Sequence, residues 1–166
     1  MGVFPPSSAR ADLRRVLPAG LTATPVERWH LTLVFLGEVA PERLGEVELA
    51  LDGAATAPGI ELRLAGAGRF TGGRSTALWV GVEGDLDALH RLRDGLRGAL
   101  ERAGLPSDER PFRPHLTVAY ARGGAEAPEV LRSYVGPTWT VAEFVLVRSR
   151  HTEGGGGYDA LRRWSC

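Results

Sequence analysis

Two histidines in this chain sit where hydrocarbon would be expected. His30 lies in E-R-W-H-L-T-L-V-F-L-G-E, residues 27–38, and His115 lies in R-P-F-R-P-H-L-T-V-A-Y, residues 110–120. Each is followed two positions later by a threonine, Thr32 or Thr117, within a run of apolar residues. In an extended strand, side chains i and i+2 share a face. His30 and Thr32 therefore point one way and Leu31 and Leu33 the other. His115 and Thr117 share a face in the same manner, with Leu116 and Val118 behind them. Two imidazoles with ordinary pKa values near 6.5 can divide acid and base work at neutral pH. A neutral imidazole takes a proton from an attacking hydroxyl or water, and a protonated one gives a proton to the leaving oxygen. Threonine hydroxyls donate to non-bridging phosphate oxygens. The reaction that suits this set is in-line attack on a phosphodiester, and it requires no metal.

A single H-x-T carries little weight, because a lone histidine in a strand is usually structural. Two such pairs among four histidines arise by chance about 2% of the time, before H-L-T is required both times. The motif is therefore read as functional. The elements that position it follow from the hydrophobic pattern. Residues 2–4 form a short strand before Pro5-Pro6. Ser7 or Ser8 caps a helix with Leu13, Val16 and Leu17 inward. Residues 29–36 form the first odd strand, ended by Gly37. Pro41 opens a helix with Leu44, Val47 and Leu51 on one face. Ile60, Leu62 and Leu64 alternate as a strand, residues 71–75 form a loop, and residues 76–82 form a further strand. Asp85 caps a long helix carrying Leu86, Leu89, Leu92, Leu96 and Leu100, ended at Gly104. The second odd strand spans residues 112–120. A short helix at 128–135 and strands at 138–148 and 158–164 complete the chain.

Each half thus reads strand, helix, H-L-T strand, helix, strand, and the two histidines are 115 − 30 = 85 residues apart, close to half of the 166-residue chain. The expectation is an internally duplicated α+β unit in one domain, residues 1–166, with no linker dividing it. A pseudo-two-fold between the halves would bring both motif faces to one cleft.

Bulk properties narrow the function classes. Net charge is zero at neutral pH, unlike a sequence-independent binder of long nucleic acid, which neutralises many phosphates. A site gripping one phosphate remains compatible. All 20 basic residues are arginine, so no lysine is present for a P-loop, a Schiff base or a lysyl-nucleotide intermediate. The one cysteine, Cys166, allows neither an internal disulfide nor a cysteine-built zinc site. No apolar run is long enough to span a membrane, and M-G-V-F-P-P lacks the regions of a signal peptide. The expected compartment is the cytoplasm. His90, in A-L-H-R-L-R, reads as a surface or boundary residue and His151 as a loop residue. Gly154–Gly157 reads as a hairpin connection, since nothing completes a phosphate loop. Trp29, Phe35, Phe112, Tyr120 and Tyr158 read as core by default, with one or two available to stack on a base, Tyr120 first.

The paired motifs W-H-L-T-L-V-F-L-G-E-V and R-P-F-R-P-H-L-T-V-A-Y resemble those of the two-histidine phosphoesterase superfamily, and most closely the RNA 2′,3′-cyclic phosphodiesterase (2′-5′ RNA ligase) family. The resemblance extends to L-R-L-A-G-A-G-R-F, T-A-L-W-V-G-V and F-V-L-V-R-S-R. It implies a bilobal α+β fold, with antiparallel sheets lining a central cleft and helices outside. It implies hydrolysis of RNA 2′,3′-cyclic phosphate ends to a 2′-phosphate, with no metal and no cofactor. The implied partners are RNA ends such as tRNA fragments, or small cyclic nucleotides, acted on by a monomer. The implied catalytic pair is His30 and His115, with His30 assisting the leaving group and His115 activating water. Thr32 and Thr117 are the implied phosphate-binding hydroxyls. Relatives commonly carry arginine five residues after the second histidine, where this chain has Tyr120. Tyr120 offers a hydroxyl but no charge, and Arg113, Arg122 and Arg150 are the candidates to supply it. Without lysine, any joining of RNA ends is the hydrolytic chemistry reversed, with a 5′-hydroxyl in place of water and no ATP. The alternatives are a non-catalytic RNA-end binding module and a related phosphodiesterase acting on a small cyclic nucleotide.

Overall fold

The two H-L-T segments are hydrogen-bonded neighbours. In the computed structural model, which describes residues 1–54, 59–72, 75–105, 107–108, 110–150 and 156–166, β2 (Leu31–Thr32) pairs antiparallel with β5 (His115–Arg122), Leu31 opposite Leu116. They lie fourth and fifth in an antiparallel sheet ordered β6-β3-β4-β5-β2-β1-β7-β8. The other strands are β1 (Gly2–Val3), β3 (Glu61–Gly72), β4 (Ser75–Gly84), β6 (Trp139–Thr140), β7 (Glu143–Arg150) and β8 (Gly157–Ser165). The helices are α1 (Ser7–Val16), α2 (Leu44–Asp52), α3 (Leu86–Arg102) and α4 (Glu129–Arg132). The architecture is α+β with an antiparallel sheet.

The back of the motif strands is core. Leu31, Leu116 and Val118 are fully buried, in one cluster with Val47 and Leu51 of α2 and Leu89, Leu92, Leu96 and Leu100 of α3. The three- and four-residue spacing along α3 puts its leucines on one stripe. Each buried leucine contributes roughly 1.5–3 kcal/mol, so the sheet that carries the polar motif face rests on strongly stabilised hydrocarbon. At the end of α3, Gly104 takes φ +64, and Leu105 N–H donates to the Leu100 carbonyl at 3.0 Å. Only glycine adopts that left-handed turn without cost.

Several boundaries differ from the sequence reading. α1 is preceded by Pro6 with no side-chain cap, and Ser7 and Ser8 lie inside the helix. Asp85 precedes α3, but its carboxylate accepts from Glu61 N–H at 3.1 Å rather than capping the helix. Pro41–Arg43 is a 3₁₀ turn leading into α2. Residues 71–72 and 75, expected in a loop, belong to strands β3 and β4. The strand expected at 138–148 is two strands, β6 on β3 and β7 on β8. β5 starts at His115, after Pro111 and Pro114, which lack the N–H a ladder needs. The strand expected at 29–36 is paired regularly only at Leu31–Thr32, because Leu33 and Val34 both donate to one acceptor, the Met1 carbonyl, at 2.9 and 3.4 Å.

Candidate active site

With Leu31 opposite Leu116 and both pointing into the core, the flanking residues face the other way. Continuing the antiparallel register sets His30 across from Thr117, and Thr32 across from His115. The four side chains form a two-by-two array with the imidazoles on a diagonal. All four line one cleft of about 720 Å³. The sequence placed these residues on two separate strands; the sheet makes them one surface.

Both imidazoles are held the same way. His30 Nδ1 lies 2.8 Å from the Arg28 carbonyl, and His115 Nδ1 lies 2.6 Å from the Arg113 carbonyl. A carbonyl only accepts, so Nδ1 carries the proton in each ring and Nε2 of the neutral form has its lone pair toward the cleft. Thr32 Oγ1 lies 3.1 Å from His30 Nε2 and donates to it. Aromatic rings fix the imidazole planes. His30 packs against Phe4 and Tyr158, with centroids at 5.4 and 4.7 Å. His115 packs against Phe70 and Trp79, at 4.9 and 6.0 Å. Gly2 lets β1 come this close, since a Cβ there would stand 2.6 Å from the Leu31 carbonyl and 3.0 Å from the His30 ring.

Burial lowers the pKa of both histidines from the usual imidazole value, because it penalises the charged form. The carbonyls of Arg28 and Arg113 oppose this. The positive charge of the Met1 ammonium, then of His115 and of Arg28, pushes His30 further down, and that of Arg113 does the same for His115. At neutral pH the free site therefore favours two neutral imidazoles. A negative charge placed between the rings favours the protonated form of either one.

Two cations accompany the pair. The guanidinium of Arg28 lies 5.9 Å from the Tyr158 ring, and that of Arg113 lies 5.9 Å from the Phe70 ring. Both line the cleft, and no carboxylate pairs with either among the described residues. Arg28 escaped the sequence reading, although the signal was present. The repeat is R-x-H-L-T, at Arg28 and again at Arg113. Thr24 braces the second motif from behind: its hydroxyl donates to the Val118 carbonyl at 3.1 Å and accepts from Trp29 Nε1 at 3.0 Å.

The remaining expected residues divide. Tyr120 lines the cleft and is 60% exposed. Arg122 stands two residues further out on β5 and does not line the cleft. Arg150 does not line it either; its Nε is 3.1 Å from Asp159 Oδ1. Trp29 is core, as expected, but Phe35 is 57% exposed and lines the cleft, against the expectation of burial. His90 packs edge-on against Phe112 at 5.1 Å. His151 and part of the glycine run, Gly154 and Gly155, lie outside the described residues.

The sequence pattern of the 2′-5′ RNA ligase superfamily matches residues 5–153. The chain belongs to the 2′-5′ RNA ligase superfamily. Within it, the chain is 35% identical over 136 residues to the RNA 2′,3′-cyclic phosphodiesterase of Escherichia coli, covering 82% of this chain and 74% of that protein. It is 34% identical over 177 residues to the RNA 2′,3′-cyclic phosphodiesterase of Thermus thermophilus, covering 98% and 87%. Among solved structures it superposes on E. coli LigT complexed with 3′-AMP with a TM-score of 0.79 at 28% identity, covering 99% of this chain and 94% of that chain.

Proposed function

We propose that this chain hydrolyses RNA 2′,3′-cyclic phosphate ends to 2′-phosphomonoesters by acid–base catalysis, with no metal. The observation that carries the reading is the diagonal His30/Thr32/His115/Thr117 array in one cleft. Two curated relatives that together cover most of the chain bear the name of this activity. In the step, water attacks phosphorus while one neutral imidazole takes its proton. The bond from phosphorus to the 3′-oxygen breaks, and the other imidazole, protonated, delivers the proton to that oxygen. Following the family resemblance, His115 activates water and His30 serves the leaving group. Each histidine presents Nε2 because its Nδ1 proton is held by a carbonyl.

Thr32 and Thr117 donate to the non-bridging oxygens. Charge comes from Arg113 and, in this reading, from Arg28, the two guanidiniums that flank the histidines. Arg150, engaged by Asp159, is not given a phosphate contact, and neither is Arg122. With a 5′-hydroxyl replacing water, the same groups join ends without ATP. The reading takes residues 1–166 as one domain acting as a cytoplasmic monomer. No helix among the described residues is long and apolar enough to cross a membrane.

The test is release of a phosphomonoester from a nucleoside 2′,3′-cyclic phosphate in EDTA, with tRNA fragments and small cyclic nucleotides compared as substrates. Turnover that persists in EDTA and disappears in His30→Ala and His115→Ala supports the proposal. Turnover that survives both substitutions defeats it.

A further inference from the structure

The two motifs match beyond histidine and threonine. Counting from each histidine, arginine stands at −2, threonine at +2 and an aromatic at +5: Arg28, Thr32 and Phe35 in one, Arg113, Thr117 and Tyr120 in the other. Strict strand alternation would send a residue at +5 to the face opposite histidine, into the core. Neither aromatic goes there. Phe35 is 57% and Tyr120 60% exposed, and both line the cleft.

The cause is a bulge in each motif. On β5, Thr117 pairs with Trp79 and Ala119 with Leu78, so Val118 is an extra residue. In the first motif, Leu33 and Val34 both donate to the Met1 carbonyl, so two residues again oppose one. The burial patterns agree: Leu33 and Val34 are consecutive buried residues, as are Val118 and Ala119, and the aromatic follows facing out. A bulge costs ladder pairing and re-aims the side chain after it, often beside an active site. Here both re-aim an aromatic onto the histidine face. Because the strands are antiparallel, Phe35 and Tyr120 lie at opposite ends of the array. At about 3.3 Å per residue, with one step absorbed by the bulge, each stands roughly 10 Å along its strand from the central Leu31–Leu116 pair. Each is thus about one nucleoside away from a phosphate at the centre.

We propose that Phe35 and Tyr120 are paired nucleobase platforms, so that the cleft binds two nucleosides joined through one phosphate rather than a single nucleotide. This rests on the phosphodiesterase reading and extends it to the ligand on both sides of phosphorus. An exposed ring beside cationic groups is how single-stranded RNA readers hold a base. Arg28 and Arg113 supply the positive charge in the cleft that both rings line. Tyr120 then serves by its ring, not by its hydroxyl, and is not a substitute for a phosphate-binding arginine.

The experiment titrates the full chain with a nucleoside monophosphate and with a 2′-deoxy dinucleoside monophosphate, which cannot cyclise, alongside turnover of a 2′,3′-cyclic phosphate. The dinucleoside is expected to bind about 10-fold tighter, on the scale of one base–aromatic stack. Phe35→Ala and Tyr120→Ala should each remove that advantage, only one of them should also weaken the mononucleotide, and Tyr120→Phe should bind like the unaltered chain. No dinucleoside advantage, or Tyr120→Phe behaving like Tyr120→Ala, overturns the platforms. Absent turnover with the advantage intact and lost in the alanine variants keeps the platforms and removes the hydrolytic reading. Turnover without the advantage does the reverse.

Discussion

The His30 and His115 halves of the cleft share a backbone device and differ in what surrounds it. In both, arginine two residues earlier lends its carbonyl to Nδ1, its guanidinium lies over an aromatic, and that aromatic meets the imidazole edge-on. In one half the aromatic is Tyr158 of β8, Phe4 is the second ring, and Thr32 donates to Nε2. In the other it is Phe70 of β3, with Trp79 beyond. The repeated part holds two imidazoles in one tautomer. The unrepeated part, drawn from distant strands, makes them unequal, and a reaction with separate acid and base steps needs unequal partners.

The largest expected effect removes one half outright. His30→Ala and His115→Ala should each lower kcat by about 10²–10⁴. The double variant should be far less than multiplicatively worse, because the two act on one transition state. Rapid-quench turnover of a cyclic nucleotide measures this; multiplicative losses would mean that the halves act independently. Next come the arginines. Arg28→Gln and Arg113→Gln should each raise KM about 10-fold or more, the scale of one charge-assisted hydrogen bond. A change confined to Arg113 would break the equivalence of the halves and leave Arg28 as a prop for Tyr158.

The motif chemistry was legible in the sequence because H-L-T needs only the two-residue strand period. The long helix was legible because its leucines follow the 3.6 period. What stayed hidden depends on pairing. No local pattern announces that two residues share one acceptor, so the bulge that turns Phe35 outward read as unbroken strand. Phe35 and Tyr120 are therefore both core by default in the sequence, against their observed exposure, although Tyr120 is also its first candidate to stack on a base. Arg150 looked available until the β7–β8 register set Asp159 beside it. Asp85 looked like a helix cap until the start of β3 came within reach of its carboxylate.

Protonation offers a smaller test. Both histidines have their folded-state pKa pushed below the usual 6.5, chiefly by burial. As pH falls through that value the unfolded chain takes up the two protons first, so stability should drop from about pH 6.5 down to the folded pKa values. Above about pH 6.5 both forms are neutral and the two groups contribute no slope. Urea unfolding between about pH 5 and pH 8 should show this, and a His30→Gln/His115→Gln variant should flatten it. An unchanged slope would show that the imidazoles are as free as in a peptide. The smallest effect is Thr24→Val, which removes the hydroxyl that links Trp29, beside His30, to the Val118 carbonyl behind the His115 motif. It should cost about 1 kcal/mol of stability, read as a lower urea midpoint.

The most direct measurement is a crystal structure with phosphate or vanadate bound in the cleft. Nε2 of His30 and Nε2 of His115 should both lie within hydrogen-bond distance of oxygens on the same ion, on opposite sides of its central atom. An ion held by one imidazole alone, with the other turned to a separate partner, would contradict the account.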